Sequence, residues 1–198
     1  MGKRGYALSD ARGAALSNCA RVFVGTLVSL NLLAKGEGNE AAGRDLELLA
    51  QEIAASPQHV AEIVDKTSRL SLVVLYQFQV EHLFKALLRE LRVNPAGRGY
   101  YGVANALVTA VGLPTSDFDI LYVPAHLRNS LHAGGVHEGH NGTSSSIPVD
   151  GFTFHFLHGQ PVTCAGWGHV LHALAAATDR VERVLDSPAV SALGHVSA

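Results

Sequence analysis

In the stretch LRNSLHAGG an arginine and a histidine stand four positions apart, as Arg128 and His132, with Asn129 beside the arginine and Gly134 and Gly135 behind the histidine. Arginine carries a permanent charge on a planar fork that matches phosphate oxygens, and histidine is the side chain most easily poised to exchange a proton near neutral pH. Together they suit phosphoryl chemistry. In RNA cleavage without metal, the imidazole would assist transfer of the ribose 2′-hydroxyl proton or protonate the leaving oxygen, and the guanidinium would hold charge on the pentavalent phosphorus. On a helix, side chains at i and i+4 leave one face, so Arg128 and His132 would be neighbours, and Leu127 and Leu131 would form the apolar edge beside them. Asn129 lies about 100° around the axis and can join the polar face. The same residues also fit a plain helix end. Cations in a last turn complement the carbonyl dipole, and Gly134 stands where a left-handed cap belongs.

Other residues offer competing chemistry. Eight of the eleven histidines fall between His126 and His172, among them His132, His137, His140, His155, His158, His169 and His172. His169 and His172, at i and i+3 of a helix, could share a zinc or nickel ion that a loop histidine closes. Against this, a hairpin would point His155 and His158 to opposite faces, and no cysteine pair or HExxH pattern supports a metal. The preferred reading has no metal and no cofactor. Glu81 and His82, on a helix expected to pack against the motif, could orient Arg128 or His132 as supporting groups. Arg89, Arg92 and Arg98 form a basic run able to track a nucleic-acid backbone, with Tyr100 and Tyr101 as flanking aromatics, although Glu90 interleaves and a solvated face explains the run as well. Trp167 reads as a core anchor. Serine-hydrolase, phosphate-loop and dinucleotide motifs are missing from the sequence.

The elements that must position these groups are mostly helical. The 198 residues fit a single domain, 1–198, and 47% of them are apolar, while the charged share of 16% lies below the ~25% of typical soluble domains. A net charge of −2 gives no global field toward nucleic acid or an anionic membrane, so any anion site must be local. The apolar run at 22–34 falls short of the ~20 residues of a membrane span and reads as part of a helix buried on more than one side. Two distant cysteines, Cys19 and Cys164, suggest a reducing cytoplasm.

Periodicity, caps and breakers then predict a bundle of about five to seven helices with a small β-hairpin inserted before the last helix. The first helix covers 11–34, and a second, outer one capped by Asn39 carries Leu46, Leu49, Ala50 and Ile53. Ser56-Pro57 starts a third that runs to about Val93, with a break suggested near Thr67 and Ser68. Two more follow, one stopped by Gly112 and Pro114, the other capped by Ser116, kinked at Pro124 and closed by the RNSLH motif. Residues 134–148 read as a flexible loop and 187–198 as a frayed tail. The hairpin is placed within FTFHFLHGQPVTC, turning at its glycine.

HLRNSLHAGG, with FQVEHLFKALLREL before it and GFTFHFLHGQPV and a last helix behind it, resembles the HEPN superfamily, the higher eukaryotes and prokaryotes nucleotide-binding domains, over roughly 70–185. The resemblance implies a compact helical bundle, a homodimer, and in many members a metal-independent ribonuclease of bacterial toxin or anti-phage systems, with RNA and a protein antitoxin or defence component as partners. Carried over, Arg128, Asn129 and His132 are the catalytic site, met by their copies from a second subunit. The family pattern has four to six residues between arginine and histidine; here Asn129, Ser130 and Leu131 are all that intervene. That shortening keeps a second expectation open, a catalytically inactive dimerisation module, and a third is a histidine-rich metal-binding protein.

Overall fold

The computed structural model describes residues 5–36 (the backbone alone for 29–36), 44, 47, 48, 50–97 and 99–197, and it is mostly helical, a bundle with a two-stranded hairpin before its last helices. Asn39, Leu46 and Leu49 of the expected outer helix, like the basic Arg98, lie outside the described residues, whereas its Ala50 is helical and buried and its Ile53 is exposed. No described helix is long and apolar enough to cross a membrane.

Helix α1 spans Ala11–Gly36 and α2 spans Pro57–Glu90. As expected from Ser56-Pro57, the serine hydroxyl accepts from the His59 N–H at 3.2 Å and the proline occupies the first turn. The helix then runs unbroken past Thr67 and Ser68. Its Leu72, Val73, Tyr76, Val80, Leu83, Phe84 and Leu87 recur at three- and four-residue steps and are all buried, which makes α2 the spine of the core. Helix α1 lies antiparallel along it, Asn18 donating to Gln79 at 3.1 Å and Phe23 meeting Tyr76 edge to face. Among the described side chains, burial on more than one side holds for the first half of α1, around Ala11, Ala15 and Cys19, whereas Val24, Leu27 and Val28 are exposed.

Helices α3 (Tyr100–Ala110) and α4 (Thr115–His132) cross the other side of α2. Helix α4 starts after Pro114 rather than at Ser116 and continues as one helix through Pro124, which is buried with Val123, Ala125 and Leu127. The last long helix, α5 (Trp167–Asp186), lies against α4 and buries Val170, Leu174, Val181 and Leu185. At the start of α4 the buried Asp117 carboxylate accepts two hydrogen bonds from Arg183 at 2.6 and 2.8 Å and faces Arg180, tying the two helices. Trp167 anchors as expected, although by a polar contact, its indole N–H donating to Asp65 at 2.6 Å.

Three expectations about the chain after α4 need correction. The hairpin pairs β1 (Ser145–Val149) with β2 (Phe152–Phe156), Ile147 opposite Phe154, so its first strand lies inside the stretch read as a flexible loop. The turn is Asp150-Gly151, both with positive φ (45° and 88°), a two-residue type I′ turn that the Asp-Gly pair signals directly. Proline and serines masked the strand, yet Ile147 and Val149 alternate inward, toward Phe154 and Phe156. The run after Gly159 instead forms a single bridge, Val136 to Pro161, with His137 donating to Gln160 and Val162 to Gly135.

The tail is docked rather than frayed. Ser187 caps the short α6 (Pro188–Ser191), Val190 and Val196 are fully buried, and Val196 exchanges hydrogen bonds with the Asp10 carboxylate and the Ala11 N–H. Arg12 closes this clasp. It forks onto Asp10 at 2.6 and 2.8 Å, stacks over Tyr6, and donates to the carbonyls of Val190, Leu193 and Gly194.

The clasp yields a prediction. Arg12 is the main reason that the Asp10 carboxyl is held down at about 2. Removing one partner of a buried ion pair costs about 3 kcal/mol or more, so Arg12→Ala should lower the unfolding free energy by about that amount, read as a fall of roughly 1–3 M in the urea midpoint at ~1–3 kcal/mol per M. Because the folded value lies below the unfolded ~3.9, this contribution is whole above pH ~4 and is lost as the pH falls toward 2. A wild-type and an Arg12→Ala chain with equal midpoints at pH 7 would contradict the clasp.

Candidate functional site

Helix α4 is buried around most of its circumference, and the strip left open carries the motif. Arg128 is half-buried, whereas Asn129 and His132 are exposed, and Ser130 and Leu131 between them face inward. The helix ends as the glycines foretell. Gly134 takes φ +74° and Gly135 +97°, and the Gly135 N–H reaches back to the Ser130 carbonyl at 2.7 Å, the 6→1 bond of a left-handed cap.

The Arg128 guanidinium is oriented by its neighbour. Nε and Nη2 both donate to Asn129 Oδ1, at 3.0 and 2.7 Å, which leaves Nη1 and the outer hydrogen of Nη2 free for another acceptor. Its positive charge also favours the phenolates of Tyr100 and Tyr122, although burial outweighs it and pushes both phenols up. Among the described residues no carboxylate pairs with Arg128 or His132, and His132 has no hydrogen-bond partner. An oriented, un-neutralised guanidinium one turn from an accessible imidazole can bind an anion and exchange a proton with it.

The supporting pair behaves differently from expectation. Glu81 is engaged with Lys85 one turn on, at 2.6 Å, rather than with Arg128 or His132, because the i, i+4 partner on its own helix is nearer. His82 is exposed on α2. Arg89 and Arg92 lie at the far end of α2, where Arg89 donates to the Ser197 carbonyl of the docked tail and sits 3.9 Å from Glu90. Among the described residues, none of Glu81, His82, Arg89 and Arg92 makes a hydrogen bond or an ion pair with Arg128 or His132.

The histidines outside the motif are spread among separate structural roles. His155 pairs with Ser146 across the hairpin at 2.9 Å, the His158 Nδ1 accepts from the Gly139 N–H at 3.2 Å, and the His172 Nε2 donates to the Val149 carbonyl at 3.1 Å. His169 rests against Phe152. Among the described residues, no three histidine, cysteine or carboxylate side chains gather where they could hold a metal ion. Both cysteines are buried and unpaired, and desolvation pushes Cys19 up to about 12, far from a thiolate nucleophile.

What the sequence reading missed is the inner face of the motif helix. Tyr122, His126 and Ser130 follow one another at i+4 spacing, and that interval was the signal available. His126 stacks on Phe156 at 4.6 Å and takes the edge of Tyr122 at 4.7 Å, with the buried His137 5.2 Å away. Ser130 Oγ donates to the His126 carbonyl at 2.9 Å and lies 3.3 Å from His137 Nδ1. With the single hydroxyl proton spent on the carbonyl, both contacts are satisfied when His137 carries its proton on Nδ1 and donates. The segment behind the motif is thus fastened to the motif helix from inside.

Compared with known proteins, the chain matches no family model, no curated protein and no solved structure.

The imidazoles of this inner face carry a sign that can be measured. Burial, and then His137, pushes His126 down to about 4, and burial with His158 pushes His137 down as well. A lowered folded-state value means that the stability of the neutral pair is complete above the ordinary 6.5 and is lost as the pH falls through about 4. The ring protons of His126 should titrate near pH 4 by NMR, and His126→Phe should flatten the stability profile between pH 6.5 and 4. A His126 midpoint near 6.5 would contradict this packing.

Proposed function

We propose that this chain is an RNA-associated, HEPN-like protein whose Arg128, Asn129 and His132 strip takes a phosphodiester and breaks it without a metal ion. The observation that carries the reading is the pairing of an Asn129-oriented guanidinium with an unpartnered imidazole on the open strip of an otherwise buried helix. Arg128 holds a non-bridging phosphate oxygen through its free N–H groups. The ribose 2′-oxygen forms a bond to phosphorus, and the bond to the 5′-oxygen breaks. His132 takes the 2′-hydroxyl proton or supplies the one that the leaving oxygen needs, and a second copy of the chain provides the opposite proton transfer. The products are a 2′,3′-cyclic phosphate and a 5′-hydroxyl. A homodimer, a cytoplasmic setting and an antitoxin or defence-system partner belong to the same proposal.

One observation favours a second reading, a catalytically inactive dimerisation module. Asn129 occupies the Nε edge of Arg128, which a bidentate phosphate would otherwise use, and the motif is one residue shorter than the family pattern.

The two readings separate in one assay. With EDTA present, the purified chain should cleave a mixed panel of single-stranded RNAs, and Arg128→Ala and His132→Ala should each lower the rate by about 10²- to 10⁴-fold. Cleavage that survives both substitutions removes these residues from the mechanism. No turnover by the wild type, together with a dimer in light scattering that Arg128→Ala weakens, selects the inactive module.

A further inference from the structure

A groove lies where α2 ends and α3 begins, away from the Arg128 strip. It has two adjoining parts that share Val93 and Asn94, of about 400 Å³ and about 780 Å³. The first is edged by Lys85, Arg89 and Arg92 at the end of α2. The second runs beside the start of α3 past Tyr101, Asn105 and Thr109. One end is therefore cationic, and the other offers an aromatic ring and amide and hydroxyl groups.

Two backbone features show how this groove is shaped. Arg92 follows α2 in the left-handed region, φ +57°, with the Val93 N–H closing back to the Leu88 carbonyl. Glycine occupies that conformation freely, and a side chain there is strained. A helix cap alone does not call for arginine at this point. The second feature is the floor. Any Cβ on Gly102 would lie 2.7–2.9 Å from the Gly97 backbone, so the loop can close onto α3 only over a bare glycine.

The charges are not all equally free. Lys85 pairs with Glu81, and Arg89 is held by the Ser197 carbonyl and lies near Glu90, whereas the exposed Arg92 guanidinium has no hydrogen bond or ion pair among the described residues. At the other end Tyr101 is 55% exposed and stands nearly perpendicular to Phe118 and Tyr122, with ring centres 4.9 and 5.1 Å apart. A ring that is held in place and open on one side is a stacking platform. Tyr122 is also the ring that packs on His126 and feels the charge of Arg128, so the groove adjoins the motif helix through a wall of aromatic contacts.

We propose that this groove holds a segment of single-stranded RNA, its phosphates on Arg92 and Arg89 and a base against Tyr101. The identity of the ligand rests on the RNA reading above; the groove and its chemistry do not. Single strands fit because a base must leave its stack to reach Tyr101, and Asn94 and Asn105 can then meet its edge.

The test exploits the strain at Arg92. Arg92→Gly removes the charge and relaxes the backbone, so the variant should melt no lower than the wild type and still bind more weakly. The probe is a fluorescent, 2′-O-methylated octauridylate, which cannot be cleaved for want of a 2′-hydroxyl. Its anisotropy titration over a salt series should show about a tenfold weaker Kd for Arg92→Gly at low salt and a log–log salt slope reduced by ~0.7. Arg92→Asn, which also tolerates the left-handed conformation, should do the same and serves if the glycine variant misfolds. A duplex of equal length and free uridine monophosphate should compete poorly. Equal Kd values for wild type and both variants, no binding of the probe, or equal binding of the duplex would overturn the groove. Unchanged binding with cleavage still lost in Arg128→Ala leaves the motif reading standing. Weakened binding with cleavage unaffected by Arg128→Ala does the reverse.

Discussion

A helix packed on most of its circumference must put its polar side chains on whatever strip the neighbouring elements leave open, and α4 is such a helix. The α2 spine, α3, α5 and the hairpin cover its remaining faces. Leu127 and Leu131 are buried, and Arg128, Asn129 and His132 therefore come to the surface together. The burial fixes the strip, and the strip fixes what chemistry is available there. The ion pairs from Asp117 to Arg183 and Arg180 hold the start of this helix to α5, and the left-handed glycines release the chain immediately beyond the motif.

The opposite face of the same helix is built on the reverse logic. His137 is buried and His126 half-buried among Tyr122 and Phe156, and desolvation favours the neutral form of both. Ser130 links His137 to the helix backbone, which means that the chain behind the motif is positioned by the helix it has just left. One stretch of sequence thus offers an accessible imidazole outward and withdraws two others inward. Their chemistry differs because their solvation differs.

Much of the fold could be read along the chain because it depends on short-range physics. Ser56-Pro57 capped a helix as serine and proline must, Gly134 supplied the left-handed turn, and the buried positions of α2 followed their three- and four-residue steps. The hairpin was misplaced because the serines and Pro148 of β1 suggested a loop, although Asp150-Gly151 held the turn that pairs it with β2. The docked tail was illegible for a different reason. Beyond the Ser187-Pro188 cap its short run of small residues has little local preference, and its order comes from Asp10 and Arg12 at the other end of the chain.

The candidate site divides along the same line. The sequence by itself determined which groups are there and their spacing: a fixed cation, an amide and an imidazole, with Arg128 and His132 one helical turn apart. Only the tertiary structure decided that Asn129 orients the guanidinium, that Glu81 pairs with Lys85, that no metal-holding group of three forms among the described histidines, and that Arg92 and Tyr101 line neighbouring cavities. Spacing along a helix is set by bonds that every sequence shares, whereas partners and exposure are set by which surfaces meet when the whole chain packs.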